Sequence, residues 1–123
     1  MKVFKTGEYL KIENPTPGEP YRPEVLTDKD GAKNLGGMFG LLAPGTQVPY
    51  HYHNKRESVI NVISGEGIEI MDGEEFPISA GDIIFVPVGV KHTTINNSDK
   101  ELRYLEFYTN PPVGADFVEV KED

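Results

Sequence analysis

His51, His53 and His92 are the only histidines in a chain of 123 residues. The first two flank Tyr52, soon after the Pro44-Gly45 turn, and a carboxylate follows at Glu57. Residues i and i+2 of a strand project from one face, so His51 and His53 address one point. Neutral imidazoles aimed at one point suit a divalent transition metal: Fe, Mn, Ni, Cu or Zn. Such an ion polarises a bound oxygen, acidifies bound water or activates dioxygen. If His92 reaches the same point, the chain commits all its histidine to one site.

The bulk composition narrows the alternatives. A net charge of −8 and a pI near 4.8 argue against a basic nucleic-acid surface and against electrostatic attachment to anionic lipid. Without cysteine there is neither a disulfide nor a thiolate ligand. The first residues, MKVFKTGEYLKIENP, contain no apolar signal-like core, and no run is long enough to span a bilayer. A soluble cytoplasmic protein of one domain, residues 1–123, is expected.

Thirteen glycines and ten prolines cut the chain into short pieces. Strands are expected over 3–12, 36–43, 47–53, 58–63, 66–71, 74–78, 83–86, 92–95 and 102–108. No segment reads as a secure helix. Residues 1–35 form an N-terminal strand and a proline-rich arm (NPTPGEPYRP, 14–23), which lies over a neighbouring subunit or along the domain's own edge. Asp72-Gly73 is a hairpin turn. The acidic hairpin around it, with Glu66, Glu69, Glu74 and Glu75, reads as a solvated edge. Nine or ten short strands at this spacing make an all-β sandwich or closed barrel.

The spacing of these residues resembles the cupin family. Gly45, His51, His53, Glu57 and Gly65 resemble its first motif (45–65). Gly81, Pro87, Gly89, His92 and Asn96 match its second (81–96). The resemblance implies a double-stranded β-helix (jelly-roll) barrel. It also implies a divalent metal held in the barrel mouth by His51, His53, Glu57 and His92. One residue too many separates Glu57 from Gly65, so Ser58 competes for the inward position. With Ser58 inward, Ile60 and Val62 face the core and the site has three histidines. With Glu57 inward, Val59, Asn61 and Ile63 turn in.

Other groups are candidates for the mouth. Gln47 shares strand parity with His51 and His53. On the last strand Tyr104, Glu106 and Tyr108 share a face. Leu105 and Phe107 read as core, which would turn Tyr104 and Tyr108 to solvent or a partner; in the alternative, Tyr104 or Glu106 enters the pocket. Met38 and Phe39 read as packing residues. Tyr50 and Tyr52 alternate with the ligands and so face outward. An aromatic outer face asks for cover, and a homodimer, common among small cupins, would supply it.

The expected function is a metal-dependent enzyme, dioxygenase-type or isomerase-type, acting on a small polar metabolite. The alternative is a non-catalytic small-molecule or metal-binding module. A storage role fits poorly with the short chain and the intact histidines.

Overall fold

The computed structural model describes residues 2–112 and 114–121. Of the acidic tail, Glu122 and Asp123 lie outside the described residues. Strands β1 (Glu24–Leu26), β2 (Leu35–Leu42), β3 (His51–Tyr52), β4 (Ser58–Ser64), β5 (Glu66–Met71), β6 (Glu74–Ser79), β7 (Ile83–Val86), β8 (His92–Ile95), β9 (Leu102–Thr109) and β10 (Val118–Glu119) form two antiparallel sheets. One sheet runs β1-β2-β9-β4-β7 and the other β10-β3-β8-β5-β6. This is the expected jelly-roll. No helix among the described residues is long and apolar enough to cross a membrane.

The core lies between the sheets. Met38, Leu42, Val48, Ile60, Val62, Ile78, Ile84, Val86 and Leu102 fill it. Each aliphatic side chain buried there contributes about 1.5–3 kcal/mol.

The register of β2 on β9 decides which residues of the last strand look inward. Gly36 pairs with Tyr108, Met38 with Glu106 and Gly40 with Tyr104. The Tyr104 and Tyr108 rings occupy the space that a Cβ at Gly40 and Gly36 would need. Small residues on β2 therefore admit the tyrosines into the barrel. The expectation that Tyr104 and Tyr108 face solvent or a partner is corrected: both are buried in the interior. Leu105 is core too, but on the opposite face, with Phe39 and Leu41.

That opposite face is covered by the N-terminal arm. The expected strand over 3–12 is instead a helical turn, α1 (Thr6–Tyr9), in an irregular segment. Its backbone joins no ladder; Phe4, Tyr9 and Ile12 pack on Phe39, Leu105 and Phe107. The proline-rich arm runs along the domain's own edge, where Tyr21 exchanges two 2.8 Å backbone hydrogen bonds with Leu41. Tyr50 and Tyr52, expected on an outer face, are half-buried, with β10 laid along β3.

The turns follow the expected chemistry. Asp72 (φ 48°) and Gly73 (φ 83°) close the β5–β6 hairpin in the left-handed region. Gly65 (φ 87°) leaves no room for a side chain against the Glu101 carbonyl. The hairpin is not wholly solvated, however. Glu69 points into the barrel and is fully buried.

Candidate metal centre

β3 and β8 bring the histidines together. His51 is the cross-strand partner of His92, and His53 lies two residues further on the same face. All three are buried, and one ring nitrogen from each lies within 4.8 Å of the others. Ring centroids are 4.2 Å apart for His51–His92, 4.8 Å for His51–His53 and 5.3 Å for His53–His92.

Each ring is oriented through Nδ1. His51 Nδ1 lies 2.6 Å from the Pro49 carbonyl and His92 Nδ1 2.9 Å from the Val90 carbonyl. His53 Nδ1 meets the Asp116 carbonyl. A carbonyl only accepts, so in each ring Nδ1 carries the proton and donates. That leaves the Nε2 lone pair as the free ligand atom, the arrangement typical of metal-binding histidine.

Burial disfavours the charged rings. It lowers the His51 pKa to about 3, helped by His92, and lowers that of His92 to about 4. His53 is lowered by burial as well. Neutral, pre-oriented nitrogen donors suit a borderline transition metal and no sulfur-seeking one. The residues present fit the ion that the sequence pattern implied.

Glu57 is not brought to the cluster. Its side chain is exposed, and its N–H is held by Thr109 Oγ1 at 3.1 Å. The phase of β4 is the reason: Ser58, Ile60 and Val62 face inward and are buried, while Val59 is 41% exposed. Gln47 is not in the site either; it too is exposed. Gln47 pairs with Ile95 and His51 with His92, so four steps on one side oppose three on the other. The extra residue, a bulge within 48–50, flips the parity, and Val48 points inward in place of Gln47.

A cavity of about 230 Å³ opens on two of the three histidines; it is lined by Arg22, His51, His53, Arg56, Glu106, Gly114 and Phe117. Glu106 is its carboxylate. Burial raises its pKa, and Arg22, Arg56 and Ser58 act in the opposite sense. Tyr104 stands behind the cavity wall, its hydroxyl buried without a partner.

Several site residues were missed from sequence. Phe117 stacks on His51, with centroids 4.2 Å apart. The Asp116 carboxylate accepts the N–H groups of Asn54 (2.9 Å), Lys55 (2.7 Å) and Arg56 (3.0 Å). It thereby ties the C-terminal segment to the loop after His53. Arg56 donates to the carbonyls of Thr109, Asn110 and Pro112 and lies 4.3 Å from the Tyr108 ring centroid. Only Arg22 carried a usable signal, since it follows Tyr21 in an extended arm whose faces must alternate. Asp116 and Phe117 lie in a stretch with no strand pattern to mark them.

A cupin-domain model matches residues 38–108. The oxalate-binding protein of Thermotoga maritima is 30% identical over 82 residues, 65% of this chain and 68% of that protein. A gentisate 1,2-dioxygenase of a Ralstonia species is 34% identical over 74 residues; these are 59% of this chain but 21% of the enzyme. An uncharacterized conserved protein with a double-stranded β-helix domain from Klebsiella pneumoniae superposes with a TM-score of 0.78, at 24% identity over 99% of both chains. A sugar phosphate isomerase structure at 21% identity bears on the fold alone.

Proposed function

The chain belongs to the cupin family, and we propose that it is a metal-dependent enzyme acting on a small polar metabolite. The observation that carries this reading is the set of three Nδ1–carbonyl pairs, which leave Nε2 of His51, His53 and His92 open on rings that burial keeps neutral. A divalent transition metal held by those three atoms would supply Lewis acidity and, for a redox-active ion, dioxygen activation.

The chain's own residues support catalysis over storage of the ion. A catalyst needs an acid or base near the metal, and no histidine is left for that. Glu106 fills the need: it lines the same cavity, and its raised pKa lets it exchange a proton closer to neutral pH than an exposed glutamate. Phe117, flat against His51, helps exclude water from one side.

Dioxygenase-type chemistry is the form we place first, supported by the Ralstonia relative, with isomerase-type chemistry second. The non-catalytic binding module is supported by the relative that is an oxalate-binding protein. Anaerobic reconstitution with Fe(II), Mn(II), Ni(II), Cu(II) or Zn(II) separates the readings. Oxygen uptake and product formation are then followed against diols, keto acids and thiols. Enzyme chemistry shows turnover that Glu106→Gln lowers by roughly 10²–10⁴-fold at unchanged metal content. A binding module shows ligand-induced thermal stabilisation without turnover.

A homodimer and a cytoplasmic location stand as proposals beside this one. The outer face around Val59, Ile83 and Phe85, three exposed large apolar side chains, supports the dimer better than Tyr50 and Tyr52 do.

A further inference from the structure

We infer that the cavity over His51 and His53 takes a small organic anion bearing a carboxylate, with the Arg22 guanidinium as its charge partner. The inference rests on the proposed metal centre for one wall of the cavity. For the ligand's charge it rests on Arg22 alone.

Arg22 is placed by its neighbour. Tyr21 pairs with Leu41 and packs on the outer face of the sheet, so the next residue turns inward, past Met38. There Arg22 Nη2 lies 3.6 Å from the Met38 sulfur, a weak acceptor, and Nε is buried with no partner. Tyr104 faces it closely enough for its hydroxyl to favour the Arg22 charge, without a well-formed hydrogen bond. Neither of the ion pairs Lys2–Asp30 and Arg103–Glu101 involves Arg22. Its guanidinium is half-buried, and Glu106 in the same cavity favours its charge without forming a salt bridge to it, which leaves the fork to an incoming anion. That planar fork matches a carboxylate bidentately.

Charge and size point the same way. The cavity is lined by two guanidiniums, one carboxylate and neutral imidazoles, a cationic surplus before any metal is counted. Arg56 adds to the field, but its N–H groups already serve the 109–112 backbone. The volume of about 230 Å³ lies below the roughly 300–1,000 Å³ of pockets for drug-sized ligands. An acid of a few carbons suits it, one end on Arg22 and the other toward the histidines.

The test is titration calorimetry with oxalate, glycolate and the neutral amide glycolamide. It is run on wild type, Arg22→Gln and Arg22→Lys, each Mn(II)-loaded and each stripped with chelator, with metal content measured throughout. Loaded wild type is expected to bind at least one of the acids and to prefer glycolate to glycolamide. Arg22→Gln should weaken acid binding about tenfold or more at unchanged manganese content, and Arg22→Lys should fall between. If Arg22→Gln does not fold, Arg22→Lys and the acid-to-amide comparison on wild type decide. Equal binding by wild type and the Arg22 variants overturns the inference. So does equal affinity for the amide, or no acid binding by either form of wild type. A wild type that takes up none of Fe(II), Mn(II), Ni(II), Cu(II) and Zn(II) defeats the metal centre instead; Arg22-dependent acid binding by the stripped protein would then still uphold the anion site.

Discussion

His51 stands opposite His92 across the β3–β8 pair, and each donates its Nδ1–H to the carbonyl two residues before it. The same short-range device thus aims two rings from two strands at one point. His53 obtains its orientation from a distant segment, through Asp116.

Because Glu57 is exposed and outside the cluster, Glu57→Gln should leave metal content unchanged and stability within about 0.5 kcal/mol. Metal analysis and a thermal melt check this. Loss of the ion in that variant would restore the four-ligand site.

Asp116 joins the C-terminal segment to the loop after His53 by three backbone N–H bonds and holds the His53 ring. Asp116→Ala keeps the backbone carbonyl that meets His53 Nδ1 but frees the segment that carries it, so metal affinity should fall, by at most the roughly 10–100-fold that loss of a supporting partner costs. The stability cost is expected near 1 kcal/mol, since the carboxylate is solvent-screened. Competition against a chelator reads the affinity, and an unchanged value contradicts the orienting role.

Glu69 is buried, with Thr94 Oγ1 donating to Oε1 at 2.6 Å and Oε2 unpartnered. Burial raises its pKa from 4.5 to about 8, against the Thr94 hydrogen bond. A raised carboxylate pKa means that the folded state keeps a proton the unfolded state releases. Its contribution is therefore intact below pH 4.5 and lost progressively as pH rises to about 8. The slope approaches about 1.4 kcal/mol per pH unit. Glu69→Gln should gain on wild type across that window, and parallel unfolding curves from pH 5 to pH 8 would refute it.

The proposed dimer predicts that sedimentation velocity finds two copies in wild type and one in Phe85→Glu, which puts a charge on the exposed apolar face. A monomeric wild type ends the proposal.

The fold was legible because turns and β-branched runs marked most strand limits, and the histidine pair fixed the site's place. The errors arose where period-2 parity was carried across an unseen irregularity. A bulge before His51 exposes Gln47. On β9 both faces are buried, so alternation could not say which way Tyr104 points; the glycines of β2 decide it. The choice between Ser58 and Glu57 stayed open in the sequence; the alternation that turns Ser58, Ile60 and Val62 inward is the one observed. Phe117 enters the cavity from a segment far from the motifs, through packing that local spacing does not encode.

The central claim is a transition-metal centre built from His51, His53 and His92. The direct measurement is metal stoichiometry in protein purified without chelator and reloaded anaerobically, for wild type and His92→Ala. The account predicts one tightly held ion per chain in wild type, and its loss in the variant while the barrel stays folded. A wild type that retains no ion, or a His92→Ala variant that retains it equally well, would contradict it.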